Sequence, residues 1–458
     1  MKTRDRIAIL IVLAVNLALW VIPSDVVELV ARERVVLLGR YSRTHFGWII
    51  GVLLISPPVL FLATAPDARR KRRRAMILMA GGLAALGVTC ASDLAKRSAA
   101  EVYYIKDKLA YHRPANVSYP VADVVDRPES AFTYPDAPPG YPAFQGKLST
   151  DARGYRNPEA LQRAEVLVIG DSYAEGSNVS DEHAWPRRLG ERCGTSLYNT
   201  GMSGYAPHNY LAVLREFGPS LDPRVVICLF YEENDFRTAE VRDTPEPEGR
   251  RFFKQSPILQ ALDRTIVGSL GDVGSSRGVS GMDVLSWMPV RVPGGDGPAY
   301  AFSPNLLLDL YKTTEELAES GQWEAIRENF TRMRGLCVER QDRFIIAYAP
   351  SKPHVVLPLA VDRIPADKLH AFARLREDDL PPPEEFRADL MGSLDNKERL
   401  LSEWCAREKI EFVSLTEPLR EALAGGRQVY FTYDDHWSPD GHDVVAEVLS
   451  RYGACDAP

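Results

Sequence analysis

The chain has 458 residues, 45% of them hydrophobic, and a formal net charge of −7 from 55 Lys/Arg against 62 Asp/Glu. That length allows a large domain with a well-filled core and a membrane region besides, and the acidic balance argues against a nucleic-acid binder. The six cysteines (Cys90, Cys193, Cys228, Cys337, Cys405, Cys455) show no CxxC pair and no metal-ligand spacing, so no metal and no other cofactor is expected.

Three apolar stretches open the chain, at residues 7–22, 46–65 and 75–91. A bilayer core of about 30 Å needs about 20 helical residues, with about 17 as the lower limit. The second stretch is long enough despite Pro57 and Pro58, and the first and third stand at the limit. Lys2, Arg4 and Arg6 precede the first, and Arg69-Arg70-Lys71-Arg72-Arg73-Arg74 separates the second from the third. Three crossings put both basic groups on the cytoplasmic side and everything after Ala91 outside, in the periplasm of a Gram-negative cell. Trp20-Val21-Ile22-Pro23 offers no small-x-small site for cleavage of a leader. Residues 25–41 suit either a helix on the outer surface or a plain connector.

Residues 92–149 form an extended lead-in punctuated by Pro and Tyr, with Pro135, Pro138, Pro139 and Pro142 near its end. Residues 150–458 then alternate strand and helix. Strands are predicted at Glu165–Ile169, Ser196–Asn199, Val225–Phe230, Arg343–Ala347 and Glu411–Ser414. Helices are predicted at Trp185–Cys193, Asn209–Phe217, Trp323–Gln341, Leu394–Glu408 and His442–Tyr452. Short continuous apolar runs separated by helices predict a parallel sheet covered on both faces. Periodicity collapses over 236–303, the mark of an insertion, often over an active site. A second irregular piece is expected from Pro350 to Glu385. Cys228 reads as core, and a Cys193–Cys455 disulfide is open to the chain in an oxidising compartment.

Chemistry concentrates at strand ends. Gly170-Asp171-Ser172 follows the first apolar strand, so Ser172 stands where a strand turns into a helix whose free N–H groups face a developing oxyanion. Asp434-Asp435-His436-Trp437 precedes the last helix. There Asp434 can hold the imidazole Nδ1–H so that Nε2 faces a serine, with Asp435 as the other candidate. Asn199-Thr200-Gly201-Met202-Ser203-Gly204 is a glycine turn whose backbone N–H can approach a ligand. Tyr231-Glu232-Glu233-Asn234-Asp235 puts an amide donor after another strand. Taken singly, each also suits an ordinary loop or helix cap; all four lie on the sheet edge where open α/β folds bind ligands.

The order Ser, Gly, Asn, Asp-x-His resembles the GDSL/SGNH hydrolase superfamily over roughly Thr150 to Tyr452. The resemblance implies a flavodoxin-like three-layer α/β/α fold, with Ser172 as nucleophile, His436 as base and Asp434 as its orienter. It also implies an oxyanion hole from Ser172, Gly204 and Asn234. Two departures stand out: Glu233 directly precedes Asn234, and the last block is Asp-x-His followed by Trp437. The Asp-x-His spacing and Trp437 look like the branch containing alginate-type polysaccharide O-acetyltransferases, and Thr150-Asp151-Ala152-Arg153-Gly154-Tyr155-Arg156 resembles a segment preceding the nucleophile in membrane-tethered members. The expected function is ester chemistry on an O-acylated cell-envelope or exported glycan, by hydrolysis or transfer, in concert with other polysaccharide-export proteins. Trp437, Tyr173 and Glu233 are candidate substrate contacts; Asp171 is expected to brace the turn, and Glu175 and Glu232 to tune polarity, touch a hydroxylated ligand or lie on the surface. The competing expectation is a membrane-anchored glycan-binding or assembly protein without catalysis.

Overall fold

The computed structural model describes residues 3–22, 43–99, 103–105, 109–121, 126, 139–142, 144–242, 288–292, 298–374 and 376–456. The chain divides into two units, one of residues 1–100, 130–135 and 247–285, the other of residues 101–129, 136–246 and 286–458.

In the first unit all three apolar stretches are helical, at Thr3–Val21, Arg43–Ala63 and Ala68–Ala99. Asn16, the polar interruption of the first, donates to Val12 O at 2.7 Å and to Ser56 Oγ of the second at 2.8 Å. The helices run past the apolar residues into charged ones, the third taking in the whole basic block. Among the described residues no helix is long and apolar enough to cross a membrane. The stretch 25–41 and most of the 236–303 insertion lie outside the described residues.

In the second unit five apolar runs form one parallel sheet: β1 (Val166–Ile169), β2 (Leu197–Asn199), β3 (Val225–Tyr231), β4 (Arg343–Ala349) and β5 (Glu411–Ser414), in spatial order β5-β4-β3-β1-β2. This 2-1-3-4-5 order is flavodoxin-like, and the strand order reverses between β1 and β3, where such sheets bind ligands at the carboxyl ends. The principal helices are α1 (Ser172–Glu175), α2 (Trp185–Cys193), α3 (Pro207–Leu221), α4 (Gly321–Arg340), α5 (Lys352–Ala360), α6 (Asn396–Glu408), α7 (Thr416–Ala424) and α8 (Pro439–Arg451).

Strand residues alternate between two cores, as a period of two dictates. Val166, Val168, Ile227, Leu229, Ile345 and Ala347 pack with α2, α5, α7 and α8. Leu167, Ile169, Val226, Cys228, Phe230 and Ile346 pack with α3, α4 and α6 on the opposite face. The result is a three-layer α/β/α unit with Cys228 in its core. A Cys193–Cys455 disulfide closes the end of α2 onto the chain's last turn.

Three expectations are corrected here. The lead-in contributes paired strands at Tyr103–Ile105 with Ala110–His112 and at Ser118–Val121 with Gly146–Ser149, and Ala110 is 1% exposed. Residues 350–385 are largely helical, in α5 and in Ala366–Ala373 and Pro383–Ser393. Pro353 and Pro383 sit in first turns, where the missing N–H has no partner to lose; they start helices rather than break them. The insertion also ends in order, in a hairpin of Met288–Arg291 with Ala299–Phe302 whose Tyr300 and Phe302 are fully buried.

Candidate active site

Ser172 opens α1 directly beyond β1 and is 8% exposed. The sharp entry requires glycine at 170, where a Cβ would lie 2.6 Å from Ala174 Cβ. Asp171 is fully buried, its Oδ1 accepting Tyr173 N–H at 2.9 Å and its Oδ2 accepting Asn234 Nδ2–H at 2.9 Å. It braces the turn as expected and also reaches across to the short helix after β3. Burial pushes its carboxyl up to about 6, against the hydrogen bonds that favour the anion.

His436 comes from the turn before α8. Its Nε2 lies 2.8 Å from Ser172 Oγ. Its Nδ1 lies 2.7 Å from Asp434 Oδ1, which also accepts the His436 backbone N–H at 2.8 Å. Burial opposes the imidazolium most strongly, but Asp434, first among the raising influences, together with Asp171 and Asp435 outweighs it and raises the His436 pKa above 6.5. Burial likewise opposes ionised Asp434, yet His436 and the backbone bond hold it well below the usual carboxylate range. Asp435 points elsewhere, to Lys352 Nζ at 3.4 Å, so Asp434 is the carboxylate that holds the imidazole.

The turn carrying Asp434 and His436 is pinned from two sides. Asp126, in the lead-in, accepts Thr432 N–H at 2.6 Å and Tyr433 N–H at 2.7 Å. Lys352, fully buried, donates to Thr432 O at 3.1 Å and to Ala301 O at 3.0 Å. Sequence reasoning missed both residues.

Asn234 begins the short helix Asn234–Thr238 after β3, and its bond to Asp171 orients the amide and leaves its second N–H free of that contact. Gly204 has φ +83°, a left-handed conformation that favours glycine. Ser203, just before it, donates its N–H to Glu175 Oε2 at 3.1 Å and accepts from the Tyr111 hydroxyl at 2.7 Å. Glu175 is fully buried and forked by Arg113, at 2.5 Å from Nε and 3.0 Å from Nη2. It is an anchor of the loop, not a ligand contact.

The expected substrate contacts fare differently. Trp437 is fully buried, edge-on to Tyr173 at 4.7 Å and to His442 at 5.7 Å, so it offers no face to a sugar. Tyr173 is 2% exposed, stacked on Tyr231 at 4.2 Å, and donates its hydroxyl to Asp435 O at 2.5 Å. Tyr173, in α1, also meets the His436 ring, with centroids 5.0 Å apart, and the Tyr173 and Trp437 side chains both belong to the core. Glu233 keeps some exposure and pairs with Arg237 at 2.6 Å; burial, with Asp309 and Asp435, pushes its carboxyl up to about 7 against Arg237. Glu232 is fully buried against His354 at 2.8 Å and Ser351 N at 2.6 Å.

The segment Thr150–Asn157 braces α1 from behind. Asp151 accepts from Tyr198 OH at 2.6 Å and Asn157 Nδ2 at 3.0 Å. Asn157 accepts Asn199 N–H at 2.8 Å, and Asn199 Nδ2 donates to Ala174 O at 2.9 Å. Arg156 donates to Val179 O at 2.7 Å and pairs with Asp181 at 2.9 Å.

Among the described residues His354, Asp395 and Glu398 could gather around a cation. Both imidazole nitrogens already face carboxylates, Nδ1 to Glu232 at 2.8 Å and Nε2 to Asp395 at 2.9 Å, which suits a charged histidine better than a ligand.

No family model matches the chain. It is 40% identical to the probable alginate O-acetylase AlgJ of Pseudomonas fluorescens over 53 residues, 12% of this chain and 14% of that protein. The match therefore spans about one seventh of that relative's length. Among solved structures it is similar to a putative lipolytic protein of the G-D-S-L family from Desulfitobacterium hafniense, with 12% identity, 63% of this chain and 99% of that one covered, and a TM-score of 0.30. It is also similar to a G-D-S-L lipolytic protein from Veillonella parvula, with 9% identity, 62% and 96% covered, and a TM-score of 0.30. The acetyl xylan esterase AlAXEase matches at 8% identity, 63% and 98% covered, and the same TM-score of 0.30.

Proposed function

We propose that this chain performs serine-dependent acyl-ester chemistry through a covalent acyl-serine. The observation that carries the reading is the His436 imidazole bridging Ser172 Oγ at 2.8 Å and Asp434 at 2.7 Å. A binding protein has no need of a hydroxyl so placed against an oriented base.

As Ser172 Oγ attacks the ester carbonyl, its proton passes to His436 Nε2, and Asp434 stabilises the imidazolium. The tetrahedral oxyanion is received by Ser172 N–H, Gly204 N–H and an Asn234 amide hydrogen. Collapse breaks the carbonyl–oxygen bond, and the leaving alkoxide takes the proton from His436. A second hydroxyl, from water or a sugar, then repeats the steps in reverse and frees Ser172.

The substrate class proposed is an acetylated glycan outside the cytoplasm. Two considerations support it: the relative named for alginate O-acetylation, and the Cys193–Cys455 disulfide, which suits an oxidising compartment. The test is turnover of a chromogenic acetyl ester by wild type and Ser172→Ala, followed by product analysis with a polysaccharide acceptor present. Ser172-dependent release supports the enzyme reading, and equal turnover by the two proteins overturns it. Acetyl appearing on the acceptor identifies transfer over hydrolysis.

A further inference from the structure

We infer that Tyr111, in the strand Ala110–His112 far upstream of the nucleophile, is a positioning residue that aims the Gly204 amide into the oxyanion hole; this rests on the acyl-ester reading above. In a trans peptide the C=O of one residue and the N–H of the next lie in one plane and point in opposite directions. The Tyr111 hydroxyl donates to Ser203 O at 2.7 Å. Holding that carbonyl therefore holds the Gly204 N–H on the other side of the same peptide.

The neighbouring peptide is tied as well. Ser203 N–H donates to Glu175 Oε2 at 3.1 Å, and Glu175 belongs to α1, the helix that Ser172 opens. Glu175 in turn is forked by Arg113, two residues beyond Tyr111. The upstream strand and the nucleophile's helix thus grip successive peptides of one loop. Tyr111 is itself located by Tyr205, whose ring meets it edge-on at 5.0 Å and whose hydroxyl donates to Tyr111 O.

The close approach explains the residue at 204 a second time. Its φ of +83° already favours glycine, and a Cβ there would lie 2.7 Å from the Tyr111 hydroxyl. An alanine would displace the group that orients the peptide. Without a donor on Ser203 O, the 203–204 peptide can rotate and turn its N–H away from the reacting carbonyl.

The experiment uses the full chain with Tyr111→Phe, which keeps the ring and removes only the hydroxyl. Turnover of an acetyl-ester chromogen is measured beside the affinity for methylboronic acid, which adds to Ser172 Oγ and places an anionic oxygen in the hole. The expected result is a kcat lower by about tenfold or more, KM within about twofold, and boronate binding weakened in proportion to kcat, at an unchanged melting temperature. Wild-type kcat and boronate affinity in the variant would overturn the inference. So would a loss of kcat that follows a fall in melting temperature. Turnover that survives Ser172→Ala marks failure of the acyl-ester reading instead.

Discussion

Asn234 Nδ2 donates to Asp171 Oδ2 at 2.9 Å, joining the short helix after β3 to the residue immediately before Ser172. The bond spans the reversal in strand order and sets the orientation of an amide proposed to receive the oxyanion. Asn234→Ala removes that donor and is expected to lower kcat by about 10²-fold or more, with little change in KM. Asp171→Asn keeps the turn's size but lets the facing amide rotate, so a smaller loss of kcat is expected. Steady-state kinetics on an acetyl ester checks both, and an unchanged kcat in Asn234→Ala contradicts the assignment.

The adjacent acids Asp434 and Asp435 are expected to separate cleanly. Asp434→Asn leaves His436 without its orienting carboxylate, and a loss of about 10³- to 10⁴-fold in kcat follows. Asp435 faces Lys352, so Asp435→Asn is expected to lower the melting temperature while kcat stays within a few-fold. Similar kcat losses in both variants would contradict this division of roles.

The pH profile has a definite sign. His436 accepts the serine proton only when neutral, and Asp434 raises its pKa above 6.5. The rate constant kcat/KM is therefore expected to fall on the acid side with a midpoint above 6.5. In Asp434→Asn the main raising influence is gone, burial dominates, and the midpoint shifts to lower pH. A wild-type midpoint below 6.5 would count against His436 as the base.

A second titration concerns stability. In the buried Glu232–His354 pair, Glu232 is lowered to about 2 from an ordinary 4.5, and His354 is raised to about 9 from an ordinary 6.5. A depressed acid contributes above its unfolded pKa, and a raised base contributes below its unfolded pKa. The pair's contribution is thus full between 4.5 and 6.5, and is lost as pH falls toward about 2 or rises through about 9. His354→Asn leaves Glu232 buried without its charge partner and is expected to cost on the order of 3 kcal/mol in that window. Melting curves of both proteins across pH check the prediction: their separation narrows above about 9.

Much of the scaffold was legible because it is written locally. The five strands are short apolar runs, and Ser172, Asn234 and the Asp434–His436 pair sit at strand ends or beside the last helix. What escaped was written at long range. Asp126, Tyr111 and Lys352 are single residues in segments without periodicity, and each acts on a turn or loop 80 or more positions away. Their roles emerge only when the chain closes on itself. Trp437, beside His436, suited either a sugar contact or packing next to the turn in the sequence, and the turn faces its ring inward, where packing takes it. The segment from Pro350 to Glu385 was expected to be irregular, yet Pro353 and Pro383 occupy helix first turns there.

The central claim is that Ser172 carries the acyl group. The most direct measurement is mass spectrometry of protein quenched during turnover of an acetyl ester, with the modified peptide sequenced. One acetyl group on Ser172 in the wild type, and none in Ser172→Ala, is the predicted result. Turnover with the acetyl group on another residue, or with undiminished rate in Ser172→Ala, would contradict it.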